Sequence, residues 1–237
     1  MKNLKIGVFA YNWPHHKTQM GLTNLYFKNI VPDCVFLANP VELKFYKSKV
    51  RVAPRDLYLH NSEDICKSFN FPSTVIKHNS IECENLIREK KLDLGIILGA
   101  RILKKNIVNA FNIGIINMHP GLLPENRGLD NLKWAIIKLQ KQGVTTHLID
   151  KNIDRGRLID RQEISVYKDD SLVDIHLRIQ AKEQKMMIEA IEKIEKSKSA
   201  EDLKYLSNGG HYNRSVPPDV EKDLEKYFLE YKEKFGE

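Results

Sequence analysis

The stretch INMHPGLLPENRG, Ile116 to Gly128, places two polar side chains at the end of an apolar run. That run, Ile113–Met118, predicts a buried strand, in which successive side chains point to opposite faces. Asn117 and His119 then share one face. Pro120 fixes the direction of the chain and has no N–H to donate. We therefore expect an amide and an imidazole to be held side by side, by a stiff turn, at the mouth of a site.

Short runs of Val, Ile and Leu alternate with helical segments along the first half of the chain. This pattern is typical of buried parallel strands joined by crossover helices, and it predicts an α/β fold with a doubly wound, mostly parallel sheet. Ligands of such sheets bind beyond the carboxyl ends of the strands, where Tyr11–Lys17 and Asn117–Arg127 fall. The predicted strands are Lys5–Ala10, Cys34–Ala38, Ser73–Lys77, Leu92–Gly99 and Ile113–Met118. The predicted helices are Thr18–Val31, Ser62–Phe69, Ser80–Lys91 and Lys104–Ala110.

The pattern changes after the HPGLLP segment. Asp130–Gln140 is predicted to be a helix. Gly143–Ile149 and Leu158–Val166 then alternate in the manner of strands across a tight turn, which predicts an antiparallel pair.

The remainder of the chain is predicted to be helical and irregular. A long helix runs from Ser171 to about Lys196, the segment Ser207–Pro218 is rich in turn residues, and Asp219–Glu237 forms a charged amphipathic helix. The apolar stripe that the long helix is expected to pack into the core is Ile175, Leu177, Ile179, Met186, Met187, Ile191 and Ile194.

The composition is that of a globular protein, with 42% hydrophobic residues. Cys34, Cys66 and Cys83 are odd in number and far apart, which predicts neither a disulfide framework nor a zinc site and favours a reducing compartment. No apolar run is long enough for a membrane span, and the N-terminus leads into a strand rather than a signal peptide. We therefore expect a cytoplasmic protein that does not enter a membrane.

The net charge of +7 is compatible with nucleic acid, a membrane surface or an anionic small molecule as partner. The lysines are spread through helix-like segments and alternate with glutamates, as they do on a solvated helix face. Specific nucleic-acid binding is therefore not expected. A weak, salt-sensitive contact with RNA stays open as an alternative.

A second candidate for chemistry is the turn IDKNIDRGRLI, Ile149–Ile159, between the two late strands. It carries the carboxylates of Asp150 and Asp154 and the glycine Gly156. Asp154 has a purely structural alternative, an Asx turn ahead of the glycine. Together with Asn117 and His119, a carboxylate from this turn would give a set of three groups: an amide donor, a titratable imidazole and a proton acceptor. Such a set suits acyl-type transfer to an amine.

These motifs together resemble the formyltransferase family that uses 10-formyltetrahydrofolate. The resemblance rests on NMHPGLLP at Asn117–Pro124, on GVTTH at Gly143–His147, and on the D-x-G-x-L-I turn at Asp154–Ile159, in this order and spacing. It extends from about Asp93 to Glu163. It implies a Rossmann-like formyltransferase fold, with residues 1–200 as the catalytic domain and residues 201–237 as a short C-terminal extension.

The resemblance also implies roles for individual residues. Asn117 and His119 stabilise the negative charge that develops on the formyl oxygen, and Asp154 supports His119 and accepts the proton that the amine loses. The donor, 10-formyltetrahydrofolate, is a co-substrate, and no metal is required. The implied folate pocket is formed by Arg101, Ile102, Leu103, His147 and Asp150.

Members of this family differ in the amine that they formylate: glycinamide ribonucleotide, methionyl initiator tRNA, or an amino group on a nucleotide-linked sugar. Glycinamide ribonucleotide enzymes wrap a phosphate in a Gly/Ser/Asn loop after the first strand, whereas Ala10–Asn24 has no glycine before Gly21. The tRNA enzymes usually add a C-terminal barrel domain, whereas the chain after Val166 is predicted to be helical and irregular. Both departures favour a sugar.

Two further stretches, Arg127–Ile137 and Gly209–Arg214, are similar to the sugar N-formyltransferases. Their acceptors are usually dTDP-linked amino-dideoxy sugars made for surface polysaccharide such as the O-antigen of lipopolysaccharide. A basic protein suits a pyrophosphate, and aromatic side chains can stack on thymine. Trp13 has the alternative of a core position, and Tyr212 that of packing its own loop or a partner in the expected homodimer. The expected contacts with the sugar nucleotide are Trp13, Arg127, Lys133, Tyr212 and Arg214.

Two alternatives to a sugar N-formyltransferase stay open from the sequence. The first is a glycinamide ribonucleotide formyltransferase with an unusual first loop. The second is a binding protein that keeps the fold and a folate or nucleotide pocket without turnover, although such a protein has no use for Asn117, His119 and Asp154 together.

Overall fold

A seven-stranded sheet forms the centre of the protein, in a computed structural model that describes residues 4–42, 48, 50–150, 156–207 and 209–237. The strands of the described residues are β1 (Ile6–Tyr11), β2 (Cys34–Ala38), β3 (Ser73–Val75), β4 (Leu94–Ile97), β5 (Gly114–His119), β6 (Asn126–Gly128), β7 (Gly143–Leu148), β8 (Arg157–Glu163) and β9 (His211–Asn213). The main sheet has the order β3-β2-β1-β4-β5-β7-β8, and β6 and β9 form a small sheet of their own. The five strands from β3 to β5 are parallel, whereas β7 is antiparallel to both β5 and β8.

Helices cover both faces of the main sheet. They are α1 (His16–Phe27), α2 (Ser62–Ser68), α3 (Ile81–Lys90), α4 (Lys105–Val108), α5 (Asn131–Ile137), α6 (Leu172–Ser197), α7 (Pro218–Glu221) and α8 (Leu224–Phe235). Val8 of β1 packs in a cluster with Ile191 of α6, and its neighbour Phe9 packs in a second cluster with Ile87 of α3. Because both of their faces are covered, the central strands β1, β2 and β4 consist almost entirely of apolar residues. The predicted doubly wound fold with a late antiparallel pair is confirmed.

Several strands end earlier than the sequence predicts. β4 ends at Ile97 because the chain then turns towards β1, where Leu98 and Gly99 donate their backbone N–H groups to the Phe9 carbonyl at 2.9 and 3.0 Å. This turn opens the carboxyl edge of the sheet between β4 and β5. The strands predicted to reach Lys77 and Val166 also end earlier, at Val75 and Glu163.

The start of α1 differs from its prediction because of an unusual cap. The helix begins at His16 rather than Thr18, since Nδ1 of His15 accepts a hydrogen bond from the Thr18 N–H at 3.3 Å. It ends at Phe27, before the predicted Val31. The cap fixes His15 at the carboxyl edge of the sheet, next to the end of β1.

The long helix α6 follows its prediction except at one position. It begins after Ser171, whose side chain and that of Asp174 form a reciprocal capping box. Leu177, a predicted member of the buried stripe, is 39% exposed. At about 100° per residue, Leu177 lies about 200° around the helix from Ile175, on the opposite face.

The C-terminal segment contains a strand that the sequence pattern does not predict. Within the segment predicted to be irregular, β9 pairs in parallel with β6 and places Tyr212 opposite Arg127. The single helix predicted for the last residues is divided into α7 and α8. Phe228 and Tyr231 of α8 pack in one cluster with Leu132 of α5. No helix of the described residues is both long and apolar enough to cross a bilayer.

Candidate functional site

The carboxyl end of β5 opens into a cavity of about 570 Å³ that Asn117 and His119 both line. Ile115 packs in the hydrophobic cluster that contains Phe9, and Ile116 and Met118 pack in the cluster that contains Val8. Asn117 and His119 therefore share a face of the strand with Ile115. The structure thus brings both predicted residues to the lining of one cavity.

A main-chain carbonyl orients the ring of His119. The ring is 3% exposed, and its Nε2 lies 2.8 Å from the carbonyl oxygen of Asn126. A carbonyl can only accept a hydrogen bond, so Nε2 carries the proton. A neutral ring then offers Nδ1 as an acceptor, whereas the protonated ring donates from both nitrogens.

Gly121 makes room for this hydrogen bond. A Cβ atom added at Gly121 would lie 2.8 Å from the Asn126 oxygen and 3.1 Å from Nε2 of His119. The glycine of the HPG motif therefore meets a requirement for space.

The neighbouring strand β7 anchors the loop that follows β5. Oγ1 of Thr145 donates to the Gly121 carbonyl at 2.8 Å and accepts from the Leu123 N–H at 3.0 Å. Thr145 is fully buried and pairs with His119 in the sheet register. The GVTTH motif thus holds the HPGLLP loop in place.

A second residue of β7 supports Asn117. Nδ2 of Asn117 lies 3.3 Å from Nε2 of His147, which is fully buried and opposite Asn117 in the register. An amide nitrogen has two N–H groups, so one can bond to His147 while the other faces the cavity. His147 is a predicted folate contact, and the structure places its ring against the amide of Asn117.

The acidic turn contributes less to the described site. Asp154, the third predicted catalytic residue, lies outside the described residues, so its position relative to His119 stays a prediction. Asp150 is half-buried and lines a different cavity together with Gly114, at the amino end of β5.

The predicted folate loop lies between two cavities. Gly99 lines the main cavity, and Arg101 lines an adjoining one of about 390 Å³; Tyr11 lines both. Ile102 is 67% exposed, and the side chain of Leu103 is buried in the core. Leu103 can therefore offer a ligand its main chain, but not its side chain.

Four of the predicted sugar-nucleotide residues lie around the cavity rather than in its lining. Trp13 is half-buried and stacks on Tyr11, with ring centroids 4.1 Å apart, instead of joining the core. Arg127 is buried on β6, beside the partly exposed Tyr212 of β9. Arg214 is exposed, and its carbonyl accepts the Nε1–H of Trp134 at 2.6 Å. The two stretches that resemble the sugar enzymes are thus brought together.

Lys133 lines the cavity, but its ammonium group is already engaged. Nζ lies 2.6 Å from Oε1 of Glu221 and 2.9 Å from Oγ of Ser48. The side chains of both charged partners are at most 5% exposed. We call this group the Lys133 clasp. It joins α5, the C-terminal α7 and the segment before α2.

The start of α1 and the helix α6 contribute residues to which the sequence analysis assigns no individual role. His15, Lys17, His176 and Glu183 line the cavity. Burial lowers the pKa of His15 to about 4, with help from the charges of Lys17 and His16. Burial also lowers the pKa of His176, again with a contribution from His16. The available signal is position, because the HHK run falls at the carboxyl end of β1.

Comparison with known proteins identifies the family. Residues 59–191 match the family model described as formyl transferase. The chain belongs to this family. A methionyl-tRNA formyltransferase from Thermodesulfovibrio yellowstonii is 33% identical over 102 residues, which are 43% of this chain and 33% of that protein. The chain thus spans about a third of the length of the curated relatives that it matches.

Solved structures of formyltransferases share the fold. A phosphoribosylglycinamide formyltransferase from Anaplasma phagocytophilum superposes with a TM-score of 0.66 at 23% identity, covering 90% of this chain and 100% of that chain. A sugar N-formyltransferase from a Shewanella species gives 0.61 at 19% identity, covering 94% and 87%. The two neighbours act on different acceptors, so the shared fold does not select one. Among the described residues, no group of three or more His, Cys, Asp and Glu side chains forms a metal site.

Proposed function

We propose that the protein transfers a formyl group from 10-formyltetrahydrofolate to the amine of a nucleotide-linked amino sugar, with a dTDP-linked dideoxy sugar as the first candidate. The observation that carries the transfer is the pair Asn117 and His119, which lines one cavity in a chain of the formyl transferase family. Formylated sugars of this kind serve surface polysaccharides such as the O-antigen.

The side chains divide the chemistry between them. The bound folate supplies the formyl carbon. Asn117 donates an N–H to the oxygen on which negative charge develops, and a protonated His119 donates to the same oxygen. A neutral His119 can instead accept a proton through Nδ1. We assign Asp154 the role of accepting the proton that the attacking amine loses. The bond between the formyl carbon and the folate nitrogen then breaks, and that nitrogen takes up a proton as tetrahydrofolate leaves.

The lining of the two cavities supports a folate as the co-substrate. The main cavity and the adjoining one meet at Tyr11, which gives an extended cleft along the carboxyl edge of the sheet. Lys77 and Arg101 line the adjoining cavity, where they can face carboxylates. In this arrangement the loop 99–103 lies along the folate, and His147 acts through Asn117.

The part of the main cavity that we assign to the amino sugar contains side-chain oxygens that can accept hydrogen bonds. Oε1 of Gln180 and Oδ1 of Asn131 are buried and have no hydrogen-bond partner among the described residues. Both residues line the cavity. Such oxygens suit the hydroxyl and amine donors of an amino sugar. The loop after β1, which has no glycine before Gly21, lacks the phosphate-binding pattern of the ribonucleotide enzymes.

The nucleotide is assigned to the surrounding aromatic and basic residues. The stacked Trp13 and Tyr11 present a flat surface for a base. Tyr212 and Arg214, together with Arg127 on the paired strand, are assigned to the sugar-nucleotide side. Lys133 lines the cavity, but its ammonium group is held in the clasp, so we do not assign it a contact with the sugar nucleotide.

The test is an acceptor panel. Purified protein is mixed with 10-formyltetrahydrofolate and one amine at a time: dTDP-linked 3-amino and 4-amino dideoxy sugars, glycinamide ribonucleotide, and initiator methionyl-tRNA. Release of tetrahydrofolate is followed by absorbance, and the formylated product by mass spectrometry. We expect product with an amino sugar only. Turnover of glycinamide ribonucleotide or tRNA instead would overturn the sugar assignment, and folate binding without any product would indicate a binding protein.

A further inference from the structure

Lys17 of α1 reaches the main chain between the two predicted catalytic residues. Its Nζ donates to the carbonyl oxygen of Met118 at 3.1 Å and to Oε1 of Glu183 at 2.7 Å. The side chain of Glu183 is 3% exposed and that of Lys17 is 20% exposed. The contact therefore joins α1, α6 and the end of β5 inside the cavity.

The Met118 carbonyl lies where the sheet no longer provides a partner. Carbonyls alternate along a strand, and that of Ile115 points towards β7, where it accepts the Ile149 N–H. The carbonyl of Met118 therefore points towards β4. The pairing with β4 ends at Ile116, because β4 itself ends at Ile97. A buried carbonyl in this place needs another donor, and Lys17 supplies it.

We infer that Lys17, held by Glu183, is a positioning residue for the transfer site. Its hydrogen bond fixes the peptide unit between Asn117 and His119, and so sets the direction in which both side chains point into the cavity. The inference rests on the proposed function, since it assigns a role in the same reaction.

The charge of the pair supports a positioning role over simple packing. Glu183 balances the ammonium group, so the strand end gains a strong donor without an unpaired charge in the buried site. A neutral or exposed donor would hold the carbonyl less firmly. Glu183 in turn keeps Lys17 from extending towards a ligand.

The first arm of the test is kinetic. Lys17→Met removes the ammonium group and keeps an unbranched side chain. We expect kcat to fall by about 10-fold to 100-fold, because the side chains of Asn117 and His119 are then misaligned. The KM of either substrate should change little. Lys17→Met/Glu183→Gln removes the buried unpaired carboxylate and should restore stability without restoring kcat. Lys17→Arg keeps the charge and should recover part of the loss.

The matched control is Arg178→Met. It breaks another ion pair of α6, between Arg178 and Asp170, at 2.8 Å and away from β5. We expect a comparable or smaller loss of stability and an unchanged kcat. If both variants lower kcat equally, or if Lys17→Met raises only the KM of the acceptor, the positioning role is wrong.

The second arm needs no turnover, which separates this inference from the proposed function. The side-chain amide of Asn117, assigned by comparison with Asn117→Asp, is observed by NMR in the free protein. Its resonances should shift in Lys17→Met and stay in place in Arg178→Met. If the wild-type protein proves inactive but Lys17→Met still shifts these resonances, the positioning role of Lys17 stands and the proposed reaction is wrong. An unshifted resonance would overturn the positioning role whatever the activity.

Discussion

Two sides of the same cavity are built in different ways. On one side, the strand end and its turn carry Asn117 and His119, and the Asn126 carbonyl orients the imidazole. On the other side, the Lys133 clasp joins three distant parts of the chain, and its two charged groups form an ion pair with each other. A polar side chain in a cavity wall thus indicates chemistry only when its hydrogen-bonding groups still face the ligand.

The largest effect on turnover is expected at Asn117, on the side of the cavity that carries the predicted catalytic residues. Asn117→Ala removes a donor to the formyl oxygen, which typically costs about 3 to 4 kcal/mol of transition-state stabilisation. We expect turnover to fall by roughly 10² to 10³. Steady-state kinetics with the acceptor that the wild type uses will measure it.

Asn117→Asp is a useful companion variant, because it keeps the shape and replaces the donor with a carboxylate. It should be as slow as the alanine variant, since a negative charge opposes the developing oxyanion. Near wild-type turnover in Asn117→Ala would remove this residue from the catalytic site.

A smaller effect is expected at Gly121. The added methyl group of Gly121→Ala would contact the Asn126 carbonyl and the His119 ring, so their hydrogen bond must lengthen. We expect turnover to fall by about 10-fold to 100-fold, as it does when a catalytic group is slightly misplaced. Kinetics should be combined with an NMR measurement of the His119 ring.

Gly209→Ala provides the control for Gly121→Ala. A Cβ at Gly209 meets its nearest atom at 3.6 Å, so the methyl group fits without a shift. Turnover should stay close to that of the wild type. An unchanged His119 signal in Gly121→Ala would show that the turn can absorb the methyl group.

The same contrast explains what could be predicted from the sequence. Strand alternation is local, so residue spacing alone is enough to place Asn117 and His119 on one face. The partners of Lys133 could not be found in this way. Glu221 and Ser48 come close only through the packing of α7 and the segment before α2, and a three-residue strand such as β9 has no periodicity of its own. The position of Lys17 at the edge of the sheet could be predicted, but its partners Glu183 and Met118 could not, because they are far away in sequence.

The smallest effect on turnover is expected at the Lys133 clasp. The double variant Lys133→Met/Glu221→Leu replaces a buried ion pair with apolar side chains, a change that is often neutral or stabilising. We expect kcat and the acceptor KM to stay within about threefold of the wild type, a difference below roughly 0.7 kcal/mol.

Glu221→Ala alone gives the opposite stability result, because it leaves the Lys133 ammonium group buried without its carboxylate. The free energy of unfolding should fall by about 3 to 5 kcal/mol, measured by denaturant titration. The double variant should recover most of that loss. If the double variant is stable but its acceptor KM rises tenfold or more, about 1.4 kcal/mol, Lys133 contacts the acceptor after all. The clasp would then belong to the binding site, and the contrast between the two sides of the cavity would fail.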